Sequence, residues 1–289
     1  MSAISEAPAG LLDVEEQPLE LLPEYRVDET AFGALVTLPW PEDPDEKWAL
    51  AQNSLGPDVI DWAEGRTEEP GLTHYLTGEQ WTFTAGQKRF LIMWYAYDPR
   101  TGRYLYRSGV KRGAKGTGKD PFAAAHMCIE FLGPSQLVAD PSSPTGWSGM
   151  RHRMPLVQIA SNSEAQSKDT LRIANAMLGE DARRYFRIDA GETMTKLKDG
   201  TGGRMEVLTY SEKSSEGDPA TFIVLNESHH MQGDSGYKIA AVARRNVGKS
   251  PAELQARLVE YTNAHQQGTE SVAGDSFEAW QKQISGLYP

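Results

Sequence analysis

Residues 111–125 read KRGAKGTGKDPFAAA, and this stretch decides the fold. Gly113, Gly118 and Lys119 fit the phosphate-loop pattern G-x-x-x-x-G-K-[ST], in which backbone N–H groups and a lysine hold the phosphates of a nucleotide. The next residue is Asp120, although the pattern has a hydroxyl there that contacts magnesium. The sequence therefore predicts a nucleotide site in which a carboxylate replaces the hydroxyl that normally contacts magnesium.

The segments around this loop have the context that the pattern requires. RYLYRSGVKR, residues 103–112, reads as a strand, and PFAAAHMCIEFLG, residues 121–133, reads as a helix that ends at Gly133. A helix that begins directly after the loop adds its positive end to the phosphate site. A glycine-rich surface turn is the alternative, and the order of strand, loop and helix argues against it. We expect the nucleotide to contact Gly113, Ala114, Lys115, Gly116, Thr117, Gly118 and Lys119.

The rest of the chain alternates between strand and helix patterns. Strands are predicted within PLVQIAS (155–161), RMEVLTYS (204–211), the apolar run 222–225 and the end of ELQARLVEYTNAH (253–265). Helices are predicted over 90–97, through SEAQSKDTLRIANAMLG from near Ser163, and at SFEAWQKQI (276–284), with a turn at 98–102 and a loop at 140–153. This alternation predicts an α/β fold with a mainly parallel central sheet and helices on both faces.

The composition excludes several classes of protein. The net charge of −11 argues against a broad DNA-binding face, so any nucleic-acid contact must come from local loops or from assembled copies. The single cysteine, Cys128, rules out an intrachain disulfide and a cysteine-rich zinc site, and suits a reducing cytoplasm. No apolar run approaches the ~20 residues of a membrane span, and the acidic N-terminus lacks the features of a secretory signal.

The second part of the predicted site follows the apolar strand TFIVLNE, residues 221–227. In nucleotide motors such a strand ends in Asp-Glu, where the Asp holds magnesium through water and the Glu polarises the attacking water. Here the pair is Asn226-Glu227, so the strand end has lost a carboxylate and the loop has gained one in Asp120. Because Mg²⁺ binds oxygen ligands, we predict that Asp120 and Asn226 hold the ion and that Glu227 orients water. Two alternatives stay open: Asp120 before Pro121 also suits a helix cap, and Glu227 also suits a surface acid.

Two polar pairs are weaker candidates. Thr262 and Asn263, at the end of the last predicted strand, suit contact with the γ-phosphate or its water, although such a dipeptide is more often a turn. His229 and His230 follow Glu227 and read as a polar lid or a packing pair, because no third or fourth ligand has zinc-like spacing.

Basic residues supply two further candidates. Arg244 or Arg245 is a candidate for an arginine that enters the site of a neighbouring subunit, and a solvated helix face is the plainer explanation. MRHR, residues 150–153, is either a DNA-facing loop or a basic turn.

Five blocks of the sequence come in the order seen in the large terminase subunit of tailed bacteriophages, which the chain resembles over residues 72–280. The blocks are TAGQKRFLIMWYAYD (84–98), KRGAKGTGKDPFAAA (111–125), VQIASNSEAQSKDTLRIANAML (157–178), TFIVLNESHH (221–230) and YTNAHQQGTESVA (261–273). The resemblance implies a RecA-like P-loop ATPase of the additional-strand, catalytic-glutamate class that uses ATP and Mg²⁺ to drive double-stranded DNA into a procapsid. It also implies that Gln87 senses adenine and that Thr262 and Asn263 form the coupling motif.

The same resemblance sets expectations for partners and domains. The partners would be double-stranded DNA, the portal protein, a small terminase subunit and other copies of the chain in a ring, in the host cytoplasm and transiently docked on the procapsid. We expect an acidic, Pro-rich segment with a small cap over residues 1–70 and the ATPase domain over residues 71–289. The family normally adds a C-terminal nuclease, for which this chain has no room, so we expect another domain or polypeptide to supply it.

Two other functions are compatible with parts of the sequence. A catalytically inactive nucleotide-binding assembly subunit is the main alternative, and it rests on the exchanges at Asp120 and Asn226 and on the N–H that Pro121 lacks. A helicase-like translocase of another lineage would need a second motor domain or further motifs, which the sequence does not offer.

Overall fold

The computed structural model describes residues 29–30, 33–34, 43–208, 219–266 and 268–284. Most of the acidic start and the end of RMEVLTYS lie outside these ranges. The described helices are α1 (Pro44–Gln52), α2 (Gly56–Ala63), α3 (Ala85–Trp94), α4 (Lys119–Leu132), α5 (Glu164–Met177), α6 (Glu180–Tyr185), α7 (Gly233–Lys249) and α8 (Val272–Ile284), with 3₁₀ turns at Ser228–His230 and Ala252–Leu254. The described strands are β1 (Glu29–Thr30), β2 (Gly33–Ala34), β3 (Tyr97–Asp98), β4 (Arg103–Tyr104), β5 (Ser108–Arg112), β6 (Gln136–Ala139), β7 (Trp147–Met150), β8 (Leu156–Ala160), β9 (Ile188–Asp189), β10 (Met194–Leu197), β11 (Arg204–Val207), β12 (Phe222–Asn226) and β13 (Arg257–Thr262).

The central sheet has seven strands in the order β5-β13-β12-β8-β11-β10-β9. The pairings from β5 to β11 are all parallel, whereas β10 and β9 extend the sheet with antiparallel pairings. The predicted mainly parallel sheet is therefore confirmed. The last strand in the sequence, β13, lies between the strand that leads into the phosphate loop and the strand that ends in Asn226.

Helices cover both faces of this sheet, as the sequence predicts. Phe222 and Val224 of β12 belong to one buried cluster together with side chains of α2, α3, α4 and α5. Ile223 and Leu225 of the same strand belong to a second cluster with side chains of α7 and the start of α8. Because successive side chains of a strand point to opposite faces, a run of apolar residues can be buried throughout only when both faces are covered.

Helix α4 is the buried helix that follows the phosphate loop. All its residues from Phe122 to Leu132 are buried, and it packs against α5 and the central strands. It begins after Gly118, whose φ of 72° lies in the left-handed region that favours glycine. It ends at Gly133, where a Cβ atom would lie 2.9 Å from the carbonyl oxygen of Ile129 and 3.0 Å from the Trp62 ring. In its first turn, Asp120 lies 3.0 Å from the Asn226 side chain, so the N-terminus of α4 lies at the carboxyl end of β12.

Three predictions about individual segments are wrong in part. The helix predicted over 90–97 ends at Trp94, and Tyr97 begins β3. Residues 103–112 form two strands, because β4 pairs with β3 in a separate hairpin and only β5 joins the central sheet. Residues 140–153 contain β7, which pairs antiparallel with β6. The Gly, Ser and Pro content of this segment hides the strand in the sequence. Packing fixes it instead: the Trp147 ring covers Gly102, and its Nε1 donates to the Pro99 carbonyl at 2.8 Å.

The N-terminal helices share the main core. Asp43 caps α1 by accepting from the N–H groups of Asp45 and Glu46, and Trp62 of α2 is buried in the same cluster as the side chains of α4. The domain boundary at residue 70 stays a prediction. None of the helices within the described ranges is long and apolar enough to cross a membrane.

Candidate nucleotide site

The phosphate loop is closed on one of its own carbonyl groups. Lys119 Nζ donates to the Ala114 carbonyl at 2.7 Å, and Thr117 Oγ1 donates to the same oxygen at 2.8 Å. Gly116 and Gly118 have φ values of 82° and 72°, which a residue with a Cβ adopts only with strain. Gly113 donates its N–H to the Thr262 carbonyl at 3.0 Å, so the loop is fixed to the end of β13. A bound phosphate would replace the Ala114 carbonyl as the partner of Lys119.

Asp120 and Asn226, the two residues that differ from the usual magnesium-binding pattern, contact each other. Asn226 Nδ2 donates to Asp120 Oδ1 at 3.0 Å and lies 3.2 Å from Thr170 Oγ1 on α5. Gly118 is the N-cap of α4 and Asp120 is its second residue, so the structure does not use Asp120 as the helix cap. The carboxylate instead reaches across to the end of β12.

The residues at this contact fit a divalent cation. Asn226 is only 3% exposed, and its Oδ1 has no hydrogen-bond partner among the described residues. A buried amide oxygen without a partner is costly, and a cation would satisfy it. Next to it is a cleft of 120 Å³ lined by Asp120, Gln166, Asp169, Thr170, Ile173, Asn226 and Glu227. Oxygen groups dominate this lining, and Mg²⁺ prefers oxygen ligands and retained waters.

Glu227 is held in an unusual conformation at the end of β12. Its φ of 53° is left-handed, which costs a residue with a Cβ about 1 kcal/mol or more. Its N–H donates to the Tyr261 carbonyl at 2.7 Å, and its Oε2 accepts from Gln166 Nε2 at 3.1 Å. His230 Nε2 lies 3.9 Å from the same oxygen. The side chain therefore lines the cleft and is held there by Gln166.

Gln166 is a site residue that sequence reasoning missed. It lies in the first turn of α5, where its N–H donates to the capping Ser163 Oγ at 3.4 Å. Its local pattern is that of a helix start, and its contact with Glu227 spans 61 residues of sequence. The sequence signal that could have found it is its place shortly after a buried parallel strand, where polar residues meet at the carboxyl edge of the sheet.

The predicted coupling pair is joined to the turn after Glu227 through His229. The His229 N–H donates to Thr262 Oγ1 at 3.1 Å, and His229 Nδ1 lies 3.1 Å from the same hydroxyl. The Asn263 side-chain amide contacts His229 Nε2, also at 3.1 Å. Burial, aided by the positive charge of Lys119 and by His230, lowers the pKa of His229 to about 4. The imidazole is therefore neutral at physiological pH.

Gln87 lies apart from these metal-side groups, at the start of α3. Its N–H and side-chain oxygen form a capping box with Thr84, with separations of 3.3 and 2.9 Å. The positive charge of Arg89, two residues on, adds to burial and Lys119 in lowering the pKa of Lys111 on β5. The charges of Arg89 on α3 and of Lys119 thus both act on Lys111, and the adenine-sensing role of Gln87 stays a prediction.

The basic candidates have partners within the chain. Arg244 on α7 lies 3.5 Å from Glu260, a β13 carboxylate whose pKa is raised by burial. Its action in a neighbouring subunit stays a prediction. In the MRHR segment, Arg151 donates twice to Glu69 and its guanidinium lies 4.4 Å from the centre of the Phe186 ring. Arg151 thus joins the segment to Glu69 and Phe186, and a DNA-facing role for residues 150–153 stays a prediction.

The strand order, the loop before α4 and the helices on both faces define a RecA-like P-loop α/β fold of the additional-strand type, with β13 as the inserted strand. The fold class predicted from the sequence is confirmed. The chain is structurally similar to the large terminase of bacteriophage HK97, with a TM-score of 0.57 and 15% identity over 80% of this chain and 42% of that chain. This likeness confirms, at the level of the fold, the resemblance to large terminases.

Similarity in sequence leads to bacteriophage proteins as well. The chain is 30% identical over 272 residues to the Gene 13 protein of Mycobacterium phage L5 and 32% identical over 280 residues to the Gene 13 protein of Mycobacterium phage D29. Each match covers 86% of this chain and 44% of the relative, so the chain spans less than half the length of these proteins. No protein-family model matches the chain.

Proposed function

We propose that the chain binds Mg²⁺–ATP and hydrolyses it as the ATPase motor of a bacteriophage terminase, coupling hydrolysis to the movement of double-stranded DNA into a procapsid. The observation that carries this proposal is the 3.0 Å contact between Asp120 and Asn226, which lies beside Glu227 at the carboxyl edge of the sheet. The phosphate loop, the metal-side pair and the candidate water-orienting acid thus meet at one place in a fold that terminases share.

The exchange at Asp120 and Asn226 preserves the formal charge of the metal site. A usual site has a neutral hydroxyl on the loop and a carboxylate at the strand end. Here the carboxylate is on α4 and the neutral amide is on β12, in direct contact. The ion would bind the Asp120 carboxylate and the Asn226 Oδ1, directly or through water, and would leave Glu227 to orient the attacking water.

The test of this proposal is a compensation experiment on ATP turnover. Asp120→Ser removes the carboxylate, and Asn226→Asp places two carboxylates in contact, so each single change is expected to slow turnover at least about tenfold. The double variant restores the usual arrangement and is expected to recover most of that loss. Asp169→Ser is the matched control, because it removes an exposed carboxylate from the same cleft without touching Asn226. Unchanged turnover in both single variants would rule out the rebuilt site.

One observation favours an inactive nucleotide-binding assembly subunit as a second candidate. Lys119 and Thr117 both bond to the Ala114 carbonyl, so the loop is satisfied without a nucleotide. Measuring binding and turnover separately decides between the two candidates. Tight binding of Mg²⁺–ATP without hydrolysis, in isolated chains and in assemblies with DNA, would favour the inactive subunit.

The proposed partners follow from the motor function. They are double-stranded DNA, the portal protein, a small terminase subunit and further copies of the chain in a ring, with a nuclease from another domain or chain. If each active site in the ring uses residues from two neighbouring chains, turnover requires assembly. It therefore depends on protein concentration. We expect ATP turnover that rises steeply with protein concentration and is stimulated by DNA.

A further inference from the structure

We propose that His229 is a positioning residue that transmits the state of the nucleotide site to Thr262 and Asn263. This inference rests on the proposed ATPase function and adds a residue to it. The imidazole lies between two parts of the site: the turn that carries Glu227 and the end of β13.

His229 makes several contacts with the end of β13. The backbone N–H and Nδ1 of His229 both lie 3.1 Å from Thr262 Oγ1. The Asn263 N–H lies 3.4 Å from Nδ1, and the Asn263 side-chain amide lies 3.1 Å from Nε2. Both ring nitrogens are therefore engaged with the same two residues.

These contacts require one protonation state of the ring. Nδ1 can accept from the Asn263 N–H only if it carries no proton, which leaves the single proton of a neutral ring on Nε2. The buried Asn263 Oδ1 has no other partner among the described residues, so it accepts from Nε2–H when the amide is turned by 180°. A neutral ring with this tautomer accepts at Nδ1 and donates at Nε2, and burial together with the His230 and Lys119 charges disfavours a protonated ring.

His229 is also connected to the reacting groups. Glu227 precedes His229 by two residues in a left-handed turn, so a change in the Glu227 backbone rotates the turn that holds the ring. Lys119 leaves the Ala114 carbonyl when it binds a phosphate, which changes the field at the ring. Thr262 is fully buried and its carbonyl accepts from the Gly113 N–H, so movement at the ring also reaches the phosphate loop. His229 thus links groups that respond to the nucleotide with the pair that would report hydrolysis.

The experiment compares His229→Ala and His229→Gln with wild type and with Asn263→Ala in the full chain. Equilibrium binding of a non-hydrolysable Mg²⁺–ATP analogue, basal ATP turnover and turnover with long double-stranded DNA are measured for each. We expect His229→Ala to bind the analogue within about twofold of wild type and to lose at least about fivefold of the DNA stimulation. We expect Asn263→Ala to lose a similar amount and the double variant to lose no more than either single change.

The conservative variant and a control separate positioning from a general loss of structure. The Gln side chain can place an amide near the position of Nε2, so His229→Gln is expected to recover part of the stimulation. His74→Ala is the control, because His74 stacks on Tyr75 and Trp81 in a loop outside the site. Additive losses in the double variant, or full DNA stimulation in His229→Ala, would overturn the inference. Absence of turnover in wild type would instead overturn the proposed function.

Discussion

A buried ion pair joins the C-terminal end of α4 to the first residue of β13. Removing this pair gives the sharpest prediction about stability. Arg257 and Glu130 are each 2% exposed, with 3.0 Å between the guanidinium and the carboxylate. The same carboxylate accepts from the Tyr95 hydroxyl at 2.7 Å, and Arg257 donates to the Trp94 carbonyl at 2.8 Å. The ring centre of Tyr104 lies 3.8 Å from the guanidinium.

The change to make is Glu130→Gln, which keeps the shape and removes the charge. Two unit charges 3.0 Å apart attract by about 5–6 kcal/mol at an effective dielectric constant of about 20. Desolvation opposes this attraction, and burial accordingly raises the pKa of Glu130 although Arg257 acts to lower it. Leaving Arg257 buried without a counter-charge is therefore expected to cost about 3–5 kcal/mol of unfolding free energy.

The assay is urea and thermal unfolding at neutral pH. At about 2–4 °C per kcal/mol, Glu130→Gln is expected to lower Tm by roughly 6–20 °C. Glu180→Gln is the matched control, since Glu180 forms an exposed pair with Arg184 at 2.9 Å and its loss should change little. Replacing both partners, as Glu130→Leu with Arg257→Met, is expected to recover most of the loss. A single variant as stable as wild type would mean that Glu130 is uncharged in the folded chain, and it would refute the reasoning.

Three further predictions concern the site and the pH response. Gln166→Ala frees the Glu227 carboxylate and is expected to slow ATP turnover about tenfold with little change in nucleotide affinity; equal loss of both would contradict a positioning role. In the proposed site Asp120 would place a negative charge beside the phosphates of the nucleotide. Chelating Mg²⁺ is therefore expected to weaken nucleotide binding at least about tenfold in wild type and much less in Asp120→Asn, as measured with a fluorescent ATP analogue. Burial is the main cause that lowers the pKa of His152 from 6.5 to about 4, so its stabilising contribution is present above pH 6.5 and is lost as the pH falls toward 4. His152 alone should account for about 2 kcal/mol of the fall in unfolding free energy between pH 7 and pH 5, and His152→Gln should reduce the fall by about that amount.

The sequence was sufficient for the main features of the fold because those features are local. The loop at residues 113–119, the apolar strands before Asn226 and Thr262, and the Ser163 cap each carry their signal within a few neighbouring residues. The antiparallel strands β9 and β10 carry no such signal. They are short and lie at the sheet edge, and their pairing is decided by tertiary contacts more than by composition.

In the candidate site, too, the residues that belong to a motif were predictable, whereas contacts between residues far apart in the sequence were not. Asp120 and Asn226 were paired in the prediction because a known motor pattern links their positions, and they lie in hydrogen-bond contact. The Gln166–Glu227 and His229–Thr262 contacts connect residues that no local pattern joins. Such contacts depend on which strands are neighbours, and that order is a property of the whole sheet.

The inserted strand β13 explains how a nucleotide site could act on distant parts of the proposed motor. Its first residue, Arg257, is tied to Glu130 at the far end of α4, and its Tyr261 hydroxyl lies 2.8 Å from His126 in the middle of that helix. At its other end, Thr262 contacts His229 and accepts from the phosphate loop. A buried helix and strand that are joined at these two positions cannot slide freely past each other, because close-packed interiors transmit strain. If the chain binds a nucleotide as proposed, a displacement of α4 caused by phosphate at Lys119 would therefore move β13 with it, and through β13 the side chains that follow it at the sheet edge.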